Sequence, residues 1–204
     1  MKFVDSPFPS RVEFEAFLKL PEAEQQAALK RTTPTAGAAT KCPVLPDTLE
    51  WADGSMVGQE ALAGKIVILF FSAEWCPACK SFIPILKTLY EDGKENEKAV
   101  EVIYVSSDND AAQKARYMQK SHGAWLSIPF ADKAARDGVK TKYGAFAGKE
   151  ASGFPGVKRR AGIPSIVIIS PSGEECVHMD CDPPTEIMRK GDAILDDWNK
   201  YRWP

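Results

Sequence analysis

Ile66-Val67-Ile68-Leu69-Phe70-Phe71-Ser72-Ala73-Glu74-Trp75-Cys76-Pro77-Ala78-Cys79-Lys80 is the stretch that decides the fold. Its first six residues are apolar without a break and are mostly β-branched or aromatic, the pattern of a central strand covered on both faces. Beyond the cysteines, Phe82, Leu86, Leu89 and Tyr90 recur at helical spacing. Pro84 falls inside that helix and is expected to kink it. The C-x-x-C pair therefore stands where a buried strand hands over to a helix.

Working outward, Val100–Val105 reads as a second buried strand, and 110–121 as an amphipathic helix capped at Asp108 or Asp110. A short extended piece over 124–128 precedes a helix over 132–143. Ser165–Ser170 and Glu174–Met179, joined by Pro171-Ser172-Gly173, form a hairpin, and one last helix runs from about Thr185 to Lys200. Upstream, Ala52-Asp53-Gly54 links two short strands in another hairpin. Strands alternating with helices imply an α/β fold with a mixed central sheet flanked by helices. Residues 10–31 read as two short helices broken at Pro21, and 32–41 as a linker. The expected division is a helical arm and linker over 1–41 and one domain over 42–204.

The chain has 204 residues, 44% of them apolar, with 26 basic against 28 acidic side chains. That balance argues against nucleic acid, whose phosphates call for a basic excess. No run is long and apolar enough to span a bilayer, so no membrane is expected. The first residues lack the charged-then-apolar pattern of a secretory signal. Five cysteines are an odd number at irregular spacing and do not make a disulfide scaffold. A reducing compartment, the cytoplasm, suits them best.

A cysteine at a helix N-terminus faces unpaired backbone N–H groups and the positive end of the dipole, both of which steady a thiolate. Lys80 adds a positive charge in the first turn, and Glu74 opposes it. With two residues between them, both sulfurs lie in one helical turn. Cys76, nearer the tip, is the expected attacking thiol, and Cys79, deeper, the resolving one. Pro77 stiffens the first turn. Zinc sites use the same spacing; here a second set of ligands would be Cys176, His178 and Cys181 with Cys42. A strand whose residues happen to alternate is the plainer reading, an extra redox thiol the next, and no metal is assigned.

Ala73–Lys80 with Pro84 resembles the thioredoxin active-site motif, and Ile163-Pro164-Ser165 before Ile166–Ile169 resembles the cis-proline loop of that superfamily. Val105-Ser106-Ser107-Asp108, Trp125–Phe130, Tyr143-Gly144 and Gly162-Ile163-Pro164 are similar to its tryparedoxin/nucleoredoxin branch. The resemblance implies a thioredoxin-like fold over about 44–200, with Cys76 as nucleophile and Cys79 as resolving thiol. It makes Trp75 a wall of the substrate groove beside Pro77, and Pro164 a cis residue that exposes the Ile163 backbone to an extended substrate. It implies a thiol–disulfide oxidoreductase that reduces protein disulfides, a peroxiredoxin among them, and needs no bound cofactor. Trypanothione, another small dithiol or a reductase would supply the electrons. The alternative is a nucleoredoxin-like, redox-sensitive binding module with little turnover.

Three features depart from the family. Phe70 stands where thioredoxin proper has a buried aspartate, and Ala78 replaces the second proline of the tryparedoxin signature. Ala145–Ala161 is inserted ahead of the cis-proline segment and carries Lys158-Arg159-Arg160. As a basic rim it would select an acidic partner or a glutathione-like carboxylate; as a solvated loop, the preferred reading, it would do neither. Asp108-Asn109-Asp110 is read as helix capping, His122 as a helix-end residue suited to the dipole, and Trp51, Trp198 and Trp203 as packing.

Overall fold

The computed structural model describes Lys19 and residues 41–204. The helical arm expected over 10–31 lies outside the described residues. The strands are β1 (Thr48–Glu50), β2 (Met56–Gly58), β3 (Ile66–Ser72), β4 (Val100–Ser106), β5 (Leu126–Ser127), β6 (Ser165–Ile169) and β7 (Glu175–Asp180). They form one mixed sheet in the order β2-β1-β5-β4-β3-β6-β7. β3 pairs parallel with β4 and antiparallel with β6, so the run read as a central strand is one.

Period-2 alternation divides β3 between two cores. Ile66, Ile68 and Phe70 point to one side, where Phe82, Leu86 and Tyr90 of helix α1 (Pro77–Glu95) and Tyr117 and Met118 of α2 (Ala111–Ser121) pack on them. Val67, Leu69 and Phe71 point to the other, against Val139 and Tyr143 of α3 (Lys133–Tyr143), Leu45, Leu62 and Trp203. α1 runs its full 19 residues through Pro84. Asp110 caps α2 through its side chain, and Asp132 caps α3. Trp198 and Trp203 are buried packing residues, as expected.

Two expectations are corrected and a third is refined. The last helix is not continuous: α4 (Thr185–Lys190) ends at Gly191, whose φ of 56° no continuing helix can use, and α5 (Ile194–Trp198) starts anew beyond it. His122 is no dipole partner, because it is buried among Phe70, Tyr104, Tyr117 and Trp125. The inserted segment 145–161 is mostly exposed, as a solvated loop would be, yet it is anchored at both ends and inside. Its neck is closed by Arg160 and Ala161 N–H groups donating to the Gly144 carbonyl, at 2.8 and 3.2 Å. Gly144 ends α3 at φ 62°, and a Cβ there would lie 2.6 Å from the Lys158 carbonyl oxygen. Inside the insertion Phe146 stacks on Phe154 at 4.6 Å, and both are buried.

Candidate active site

The sequence puts Cys76 at the N-cap of α1 with Pro77 as the first helical residue, where its missing N–H costs no hydrogen bond. The Cys76 sulfur takes the place of a capping oxygen and accepts the Cys79 N–H at 3.3 Å. On its other side it donates to the Ile163 carbonyl at 3.6 Å, and the Ile163–Pro164 bond is cis. One sulfur thus sits between a helix tip and the cis-proline loop. Cys76 is 7% exposed and Cys79 not at all, the depth order read from their spacing. Ala73, Trp75, Ala78 and Ile163 pack around the pair. Pro77 is exposed and Trp75 half-buried.

Burial pushes the Cys79 thiol far above its usual range, and the hydrogen bond with Cys76 adds to this. The Ser72 hydroxyl, hydrogen-bonded to Cys79, draws it partly back. Ser72 Oγ also meets the Tyr117 hydroxyl at 3.4 Å. Phe70, at the position of a thioredoxin's buried aspartate, instead lies 5.8 Å from Phe82 and 6.0 Å from Tyr104, in an aromatic cluster.

Asp108 is not the helix cap. Its Oδ1 accepts the Glu74 N–H at 2.7 Å, and its Oδ2 accepts the Tyr104 hydroxyl at 2.5 Å and the Ser106 hydroxyl at 2.8 Å. The carboxylate thereby ties the end of β4 to the loop that carries the cysteines. Ser107 makes a second tie, its carbonyl accepting the Trp75 Nε1–H at 2.8 Å and its hydroxyl donating to Glu150 at 2.6 Å. Glu150 belongs to the insertion and also pairs at 2.6 Å with Lys140, which is 0% exposed. The preceding residue, Lys149, stands 3.7 Å over the Trp75 ring.

Residue-type and spacing arguments found the cysteines and Pro77, the family resemblance supplied Trp75, Ile163 and Pro164, and the fold brings them together. They missed Ser72, Tyr117, Glu150 and Lys149. Only Ser72 had a local signal, as a polar residue at the end of an apolar strand. Cys176, His178, Cys181 and Cys42 do not converge: the His178 ring faces Glu175 at 3.3 Å, and Cys181 is buried, its thiol turned to the Met179 carbonyl. No helix among the described residues is long and apolar enough to cross a membrane.

Residues 64–175 match a family model described as thioredoxin-like. The chain is 34% identical over 164 residues to a probable nucleoredoxin 1 of Arabidopsis thaliana, an alignment covering 72% of this chain and 25% of that protein. Among solved structures, a thioredoxin from Wuchereria bancrofti is similar at 30% identity and a TM-score of 0.55, over 76% of this chain and 95% of that one. Tryparedoxin I from Crithidia fasciculata is similar at 26% identity and a TM-score of 0.54, over 72% of this chain and 87% of that one. The chain spans about a quarter of the length of the curated relatives it matches.

Proposed function

The chain belongs to the thioredoxin-like family, on its tryparedoxin and nucleoredoxin branch, and from that premise we propose that it is a dithiol–disulfide oxidoreductase acting on protein disulfides. Cys76 is the nucleophile and Cys79 the resolving thiol. A substrate segment lies in extended form against the Ile163 backbone, between Pro164 and the Trp75 and Pro77 wall. Main-chain pairing of that kind holds many sequences.

The Cys76 thiolate attacks one sulfur of the substrate disulfide, forming a mixed disulfide and releasing the other sulfur as a thiolate that takes up a proton. Cys79 then gives up its proton and attacks the Cys76 sulfur. The second substrate thiol leaves, and a Cys76–Cys79 disulfide remains. Two electrons and two protons have passed to the substrate. An external small dithiol, trypanothione by analogy with the tryparedoxins, or a reductase restores the pair, and a peroxiredoxin is one fitting acceptor. The cysteines carry the electrons, so the cycle calls for no further cofactor, and a reducing cytoplasm is the setting that sustains it.

The observation that carries the reading is the placing of one sulfur, Cys76, between the Cys79 N–H at 3.3 Å and the Ile163 carbonyl at 3.6 Å. Insulin reduction with dithiothreitol tests it: the wild type is expected to exceed the uncatalysed rate clearly, and Cys76→Ser to match it. A wild type no faster than Cys76→Ser overturns the enzyme in favour of a redox-sensitive binding module. Proteins trapped on Cys79→Ser, which cannot resolve a mixed disulfide, then name its partners.

A further inference from the structure

The insertion 145–161 bears four basic residues, Lys149, Lys158, Arg159 and Arg160, and the fold gives them different uses. Arg160 is consumed by a two-pronged pair with Glu175, at 2.5 and 2.7 Å. Lys149 and Arg159 have no carboxylate within ion-pair reach among the described residues. Both are held in place nonetheless. Lys149 lies 3.7 Å over the Trp75 ring and donates to Asn109 Oδ1 at 2.8 Å. Arg159 donates through Nε to the Phe146 carbonyl at 2.9 Å, and its guanidinium covers Gly162, with Nη2 2.5 Å from where a Cβ would stand. One cation therefore sits beside the residue before Cys76, the other beside the residue before Ile163.

Their positions are built rather than incidental. Ser107 holds Trp75 with its carbonyl and Glu150 with its hydroxyl, so the active-site wall and the insertion share one anchor. The buried Lys140–Glu150 pair fixes the residue adjoining Lys149. Beside Arg159 a recess of about 300 Å³ opens along Gly162 and Ile163, with Asp180 and Asp182 also in its wall.

Resting on the proposed oxidoreductase reading, we propose that Lys149 and Arg159 read acidic side chains close to the reacting cysteine of a substrate protein, and so bias the groove towards acidic disulfide segments. Backbone pairing at Ile163 leaves sequence unread, and two cations flanking it, without carboxylate partners among the described residues, supply the missing selection. Exposed charge pairs are individually weak, so two amount to roughly a twofold to thirtyfold preference, weakened by salt.

The test uses the full chain with dithiothreitol as reductant and three disulfide-linked peptides identical but for Glu, Gln or Lys next to the cysteine. Wild type is expected to favour Glu over Gln in kcat/KM by roughly twofold to thirtyfold in low salt, less at high salt. In Lys149→Gln/Arg159→Gln the Glu-to-Gln ratio falls to about one. A merely structural role would slow both peptides and leave that ratio alone. Equal rates on Glu and Gln, a ratio kept by the double variant, or a preference for Lys set by Asp180 and Asp182 would each overturn the proposal while leaving the enzyme reading intact. A loss confined to glutathione disulfide, run in parallel, would refute a protein substrate, and failure to reduce any peptide would overturn both readings.

Discussion

His122 offers a stability test of the core beneath the dithiol. Its Nδ1 accepts the Trp125 Nε1–H at 3.1 Å, so the neutral ring carries its proton on Nε2, a buried atom with no hydrogen-bond partner among the described residues. A second proton would charge a ring enclosed by Phe70, Tyr104, Tyr117 and Trp125. Burial, with a smaller contribution from Lys114, holds the imidazole down to about 3 against the usual 6.5. The unfolded chain therefore binds a proton that the folded one refuses between about pH 6.5 and 3, and stability falls as pH falls through that window. From pH 8 to pH 5 the difference is about 1.5 pK units, or about 2 kcal/mol at 1.36 kcal/mol per unit. Asn in place of His122 keeps an acceptor near Nδ1 and removes the titration. Urea unfolding followed by tryptophan fluorescence at pH 8, 6.5, 5.5 and 5 reads the effect. The variant is less stable at pH 8 for loss of ring packing, and the gap to wild type is expected to close by about 2 kcal/mol at pH 5. A gap independent of pH, or a His122 proton resonance titrating near 6.5, would refute the reasoning.

Two further outcomes are expected. Glu150→Gln strands the buried Lys140 ammonium and is expected to cost about 3 kcal/mol in urea unfolding, while adding Lys140→Met restores most of it; additive losses would show that the pair is not coupled. Ser72→Ala removes the hydroxyl that eases ionisation of Cys79, and mixed-disulfide resolution in single turnover should slow about tenfold, the equivalent of ~1.4 kcal/mol, with the attack by Cys76 little changed.

What the sequence disclosed follows from how local each signal is. Ile66–Phe71 is buried on both faces, so its apolar run announces a central strand whatever surrounds it. The caps at Asp110 and Asp132 and the cysteine spacing are decided within a few residues. Gly191 was readable in principle, as a glycine interrupting the last apolar periodicity. Lys140 and Glu150 were not, since isolated charges imply solvent and only their pairing across ten residues lets the insertion pack. Ser107 looks ordinary in sequence, yet its two ends hold different segments. Asp108 matched a capping pattern that Asp110 in fact fulfils, and its tertiary partner Glu74 leaves no trace at short range.

Phe70 bears most heavily on the chemistry. With an apolar ring where a thioredoxin has a carboxylate, the Cys79 proton needs another route, and the surrounding groups narrow the choice. Asp108 is buried on this side, but one oxygen serves the Glu74 N–H and the other two hydroxyls, so both are already engaged away from Cys79. Burial raises Tyr104 and Tyr117 above their ordinary range and holds His122 neutral, so none of the three offers a base in neutral solution. Hydroxyls remain. Ser72 touches Cys79 and meets Tyr117, and a hydroxyl donates a proton as readily as it accepts one. In the proposed cycle the substrate's thiolate leaves the Cys76 sulfur as Cys79 attacks, and it is the natural final acceptor for that proton. Resolution then couples deprotonation of the buried thiol to release of the product, which keeps Cys79 protonated until a mixed disulfide has formed.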